Sequence, residues 1–142
     1  MLPDYLTNVS LKSFKTQFDP EVHFGICLAT RMPDELAELG FVHHVLDVDE
    51  VSTEDYFIHV PKELVKIIPR DKRCFVVLPH LRGLIAPIIF SVLDITHAKP
   101  VIVQQYRLKR ERLGYNFVDT EKVGGFIKRL LKNMQKNLVK SS

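Results

Sequence analysis

The sequence has no tryptophan, only two cysteines, six glycines, and no apolar run that approaches eighteen uncharged residues. Each shortage removes a class of protein. Two cysteines cannot staple a disulfide-dense secreted scaffold, and they cannot hold a zinc ion by themselves. The glycine content excludes collagen-like and low-complexity chains. Without a long apolar run there is no candidate membrane span, and the opening MLPDYLTNVS lacks the basic start and apolar core of a signal peptide, so a cytoplasmic protein with no membrane partner is expected. The chemical signatures are missing too. Walker A, GxGxxG, HExxH, CxxC and GxSxG do not occur, which leaves kinase, dinucleotide dehydrogenase, zinc protease and α/β-hydrolase readings without local support. No cofactor is called for. His43 and His44 are adjacent and would point to opposite faces of a strand, so no metal site is expected.

What is present is an ordinary globular composition, 46 % apolar and 26 % charged. With 142 residues it fits a single domain over 1–142, of which residues 1–20 read as an N-terminal arm or short helix. The net charge of +3 conceals an asymmetry. Residues 1–71 carry 6 Lys or Arg against 13 Asp or Glu, whereas residues 72–142 carry 14 against 4. A basic half can meet something anionic, such as nucleic acid, a nucleotide or membrane headgroups; equally, the acidic and basic halves of one fold or of two subunits can face each other.

The chain is organised around residues 73–95, RCFVVLPHLRGLIAPIIFSVLDI. Cys74 to Pro79 are apolar without a break, the pattern of a short strand buried on both faces in a parallel sheet. From Leu84 to Ile95 the apolar residues recur at helical spacing, and Pro87 confines the helix start to about Arg82 or Gly83. Val22 to Ala29 reads as a first strand, and its internal Gly25 suggests a close backbone approach or a bulge. Pro33 with Asp34 and Glu35 marks a brief helix that ends at Gly40. Phe41–Val48 is a second strand; Pro61–Pro69 is a helix whose Leu64, Val65, Ile67 and Ile68 should pack on the sheet. Pro100–Tyr106 is a further parallel strand, and Tyr115–Val118 is its hairpin partner at the sheet edge. Asp119 or Thr120 should cap a last helix striped with Val123, Phe126, Ile127, Leu130, Leu131 and Met134. Cys27 and Cys74 lie within apolar runs and are expected as reduced core thiols. The elements predict an α/β fold: a small three-layer Rossmann-like domain with a mostly parallel central sheet and an antiparallel edge strand.

Such a sheet offers a site outside the carboxyl ends of its central strands. Two loops should meet there: Ala29, Thr30 and Arg31 after the first strand, and Pro79, His80, Leu81, Arg82 and Gly83 after the third. Together they provide a hydroxyl, guanidinium groups, an imidazole and helix N-terminal amides, a set suited to phosphate. Lys99 and the basic turn 107–112, with Arg107 and Arg110, are candidates for the rim of the same edge.

The VLPHLRGL turn, the long apolar helix to Ile95, the KPVIVQQY strand and the closing strand plus helix resemble the small single-domain relatives of the CRISPR-associated Rossmann-fold (CARF) sensors, over residues 22 to about 135. That family accompanies type III CRISPR systems. The resemblance implies a cyclic oligoadenylate ligand lying across a two-fold interface of a homodimer or higher homo-oligomer, with Thr30, Arg31, His80, Arg82 and Gly83 facing the ring. It implies a sponge that sequesters the messenger or a metal-independent ring nuclease, in which His80 would serve as acid and Arg82 as clamp. The missing acid/base pair favours binding without turnover. Two readings stand beside it: a nucleic-acid-binding accessory protein that uses the basic second half, for which only Tyr106, Tyr115 and Phe117 offer stacking, and a structural subunit assembled through its oppositely charged faces.

Overall fold

The computed structural model describes residues 4–45, 62–78, 96, 99–107, 113–122, 129 and 132. Six strands form one mixed sheet. In chain order the elements are β1 (Leu6–Val9), α1 (Leu11–Gln17), β2 (His23–Ala29), α2 (Asp34–Glu38), β3 (Val42–Val45), β4 (Arg73–Leu78), β5 (Val101–Arg107) and β6 (Leu113–Val118). Residues 62–67 and 120–122 are helical as well. The spatial order is β1-β6-β5-β4-β2-β3. The four strands β5, β4, β2 and β3 run parallel, and β6 and β1 join antiparallel.

The parallel strands follow from their sequence. In β4 every residue from Cys74 to Leu78 is buried, the unbroken burial that a six-residue apolar run predicts. In β2 the run Gly25–Ala29 is buried likewise. Alternation then sorts the side chains. One face carries Cys27, Ala29, Phe75, Val77, Val103 and Tyr115 in a cluster closed by Phe14, Phe18, Leu36 and Phe41. The residues between them, Ile26, Leu28, Cys74, Val76, Leu78 and Ile102, are buried on the other face.

The helix α1 closes the first face with aromatic rings. Ser10 holds an extended conformation and its hydroxyl accepts from the Ser13 amide at 3.1 Å, a cap that starts the helix. Phe14 and Phe18 sit one turn apart and so share a face. The Phe14 ring stacks on Tyr115 at 5.2 Å and meets Phe75 edge-on at 6.2 Å; Phe18 lies 4.5 Å from Phe41 and 5.3 Å from Phe75. A seven-residue helix is only about 10 Å long, so these two residues supply nearly all it buries.

The expected short helix within residues 1–20 is α1, and an edge strand, β1, precedes it. Leu6 pairs with Val118 and Val9 with Tyr115, so β1 occupies the edge that the Tyr115–Val118 strand was expected to hold. The reason is non-local. Apolar residues of a four-residue strand and of the helix behind it run together at helical spacing, and nothing near residue 6 announces a partner over a hundred residues on. In the 62–67 helix, Leu64 and Ile68 are buried as expected, but Val65 is 54 % exposed, because only one side of the turn is covered. Pro33 serves as the N-cap of α2 rather than its first helical residue, without a side-chain hydrogen bond, and Gly40 ends the turn at φ +86°. Asp119 Oδ1 accepts from the Glu121 and Lys122 amides at 3.1 and 3.2 Å, the expected cap of the last helix. The expected helix 84–95 and the stripe from Val123 to Met134 lie outside the described residues.

Candidate functional site

The strand order contains one reversal. From β2 the chain steps outward to β3, then returns past β2 to β4 and continues to β5. The switch therefore lies between β2 and β4, which pair in parallel from His23↔Arg73 to Cys27↔Val77. Above such a point the two outgoing loops diverge and leave a crevice at the carboxyl edge. The sequence places the Ala29–Arg31 turn and the Pro79–Gly83 turn at the ends of these two strands.

Ala29 closes β2 and is buried, while Thr30 and Arg31 are exposed beyond it. Their exit is fixed from three directions. The His43 Nε2 donates to the Ala29 carbonyl at 2.8 Å; since a carbonyl only accepts, the proton sits on that nitrogen. Within α2, Leu36 and Ala37 donate to the Pro33 carbonyl at 3.1 Å, and Leu36 is fully buried. The Tyr115 hydroxyl donates to Glu35 Oε1, which ties α2 to β6. Burial, the Glu35 hydrogen bond and the charges of Glu35 and Cys27 push the Tyr115 phenol far above its usual value. It is a neutral donor at any physiological pH.

Of the other expected site residues, Pro79, His80, Leu81, Arg82 and Gly83 lie outside the described residues, as does Arg110. Arg107 ends β5 opposite Leu113, at the same carboxyl edge and two strands from β2. Lys99 does not rim that edge. It precedes β5, which runs parallel to β4, so it lies at the amino edge, where its ammonium meets Glu121. His43 is the residue the sequence reading misses. Its neighbour His44 disguises it as half of an unworkable metal pair, and only the β2–β3 register, Cys27↔His43, brings it within reach of Ala29.

The amino edge has a shape of its own. A groove of about 500 Å³ opens there, with Gln17, His23, Arg73, Phe75, Lys99 and Phe117 among its walls. His23 Nδ1 accepts from the Asp19 amide at 2.9 Å, so in the neutral ring the proton is on Nε2. Its ring lies 4.9 Å from Phe75. Arg73 Nε donates to the Lys99 carbonyl at 2.8 Å.

Several described cations of the basic half are engaged at home. Lys72 donates to the Pro20 carbonyl at 3.1 Å, and Lys122 approaches the Asp4 carboxylate at 3.9 Å. The Lys122–Asp4 pair, exposed on both sides, joins the acidic first half to the basic second. Arg129 and Lys132 are exposed. Cys27 and Cys74 are free and buried, and burial alone raises their thiols from 9.0 to about 11 and about 12, which makes them poor nucleophiles. Among the described residues no group of three or more His, Cys, Asp or Glu could hold a metal ion, and no helix is long and apolar enough to cross a membrane. Comparison with protein-family models, with curated proteins and with solved structures gives no match to this chain.

Proposed function

We propose that this chain is a CARF-like, three-layer Rossmann-type domain that binds a cyclic oligoadenylate, cyclic tetra-adenylate in the first instance, at the carboxyl edge between β2 and β4. The observation that carries the reading is the switch point, with Thr30 and Arg31 exposed where β2 ends. Burial of alternate residues on both faces of β4 supports a sheet covered on both sides. An exposed hydroxyl and guanidinium after a buried strand suit a phosphodiester, to which Arg offers two parallel donors. By the resemblance, His80, Arg82 and Gly83 complete the contact from the second loop, Arg107 is a further cation on the same edge, and the ring sits on a two-fold axis of a homodimer. Sequestration is favoured over cleavage, since the sequence offers no convincing acid/base pair at this edge and His43 is already committed to a backbone carbonyl.

Incubation with labelled cyclic tetra-adenylate tests this directly, by native gel shift and by chromatography of the nucleotide after an hour. A shift with an intact ring identifies a sponge; a shift with linear products identifies a ring nuclease. Arg31→Ala and Arg82→Ala should each weaken the shift at least tenfold and leave the oligomeric state unchanged. Absence of a shift at low salt refutes the proposal.

A further inference from the structure

At the opposite edge of the sheet, independently of the carboxyl-edge reading, we propose a second ligand site: the groove at the amino ends of β2, β4 and β5 takes a small planar organic anion, held by Arg73 against the rings of Phe75, Phe117 and His23. Three observations carry it. The first is shape. An open, shallow concavity of about 500 Å³ sets apolar and polar groups side by side, enough for one face of a small ligand. Phe75 is 3 % exposed and supplies the floor, and Val101, its cross-strand partner, extends it.

The second is an unengaged donor set. The groove holds two cations, Arg73 and Lys99, and two carboxylates, Asp119 and Glu121, so its formal charges balance. Lys99 is paired with Glu121, and Asp119 Oδ1 accepts the two amides that open the last helix. Arg73 differs in keeping donors free. Its Nε is spent on the Lys99 carbonyl, and its terminal nitrogens have no partner among the described residues. That bond orients the guanidinium, leaving the outer donors for a carboxylate or phosphate oxygen pair.

The third is register. His23 and Arg73 are direct neighbours across the β2–β4 pair. With Nδ1 fixed on the Asp19 amide, His23 keeps an Nε2 proton as a donor beside the arginine. A flat apolar body against the phenylalanines with an acid group toward Arg73 and His23 engages the free donors of both residues.

Benzoate is the probe, followed by NMR on the intact chain, with benzamide as its uncharged match. Benzoate should shift the His23 ring signals and the amides of Phe75, Val101 and Phe117, with a dissociation constant on the order of millimolar for so few atoms. Benzamide should bind at least tenfold more weakly, and Arg73→Met should weaken benzoate to the same degree. Glu121→Gln frees the Lys99 ammonium and should tighten benzoate about threefold, a gain that no loss of folding can mimic. Equal binding of benzoate and benzamide, shifts centred elsewhere, or a Glu121→Gln variant that leaves benzoate unchanged each overturn the proposal.

Discussion

Substituting Gly25 by alanine tests the aromatic packing that holds α1 and β3 to the sheet. A Cβ built on Gly25 would meet the Phe41 ring at 2.6 and 2.7 Å, with atoms from both sides of the ring in contact, so the methyl lands on the ring face. Ordinary contact begins at 3.4 Å, and the ring would have to retreat by roughly 0.8 Å. It has little room to do so. Phe41 is 6 % exposed, with Phe18 at 4.5 Å and Phe14 at 5.9 Å from its centre. Overpacking of this kind costs about 3 kcal/mol at the upper end of its range. Replacing a strand glycine returns about 0.5–1 kcal/mol through the unfolded chain. The net loss is about 2 kcal/mol, a fall in Tm of about 6 °C for a chain of this size. Urea denaturation followed by circular dichroism measures it, and Phe41→Leu supplies the control. In that background the added methyl meets a narrower side chain and should cost less than half as much. A Gly25→Ala variant within about 0.5 kcal/mol of the parent, or one equally costly in the Phe41→Leu background, refutes the packing argument.

Stability should fall on the alkaline side. The folded thiols of Cys27 and Cys74 keep their protons up to about pH 11 and 12, against 9.0 in the open chain. Above pH 9 the native state therefore binds more protons than the unfolded state, and stability is lost as pH climbs toward 12; below pH 8 these groups contribute no slope. Urea midpoints from neutral pH to well above the free-thiol value check this, and Cys74→Val should flatten the decline. Tyr115→Phe keeps the ring on Phe14 but removes the donor to Glu35, which should cost about 1 kcal/mol, read from the urea midpoint. Gly40→Ala introduces no clash, since nothing lies within 4 Å, so its expected cost of about 1 kcal/mol is the left-handed backbone alone; Gly40→Asn should cost less in the same melt.

Local chemistry explains which features are legible in the sequence. An apolar run of six is enough to write β4 as doubly buried, and Gly25 announces the close approach that Phe41 makes. Pro33, Asp34 and Glu35 mark α2 to within a residue, because acids in the first turn and proline before it act through the helix's own backbone. Alternating strands and helices predict a parallel sheet, and the observed register then puts β2 beside β4 and so fixes the switch point. What stays hidden depends on partners distant in sequence. Ser10 is a cap, but a serine followed by a mixed apolar pattern reads equally as mid-helix, so β1 merges into a longer helix. The His43–Ala29 and Tyr115–Glu35 bonds span 14 and 80 residues and leave no periodic trace. The amino-edge groove depends on where α1 stops, and no composition signal reports that.

The pairing of β1 with β6 has a bearing on how the chain is made. Tyr106 donates to Asn8 across 98 residues, and Leu6 finds its partner only at Val118. A ribosome that has delivered β2, β3, β4 and β5 has delivered a sheet whose first-made strand still has no place, because the strand it must join comes last. Until Val118 has left the exit tunnel, Leu6–Val9 and the open side of β5 are both unpaired edges in a crowded cell, each able to join a neighbouring nascent chain. During synthesis, closure of the sheet is therefore among the last events, and a message that stalls translation before residue 113 should release a species that aggregates rather than a smaller working domain.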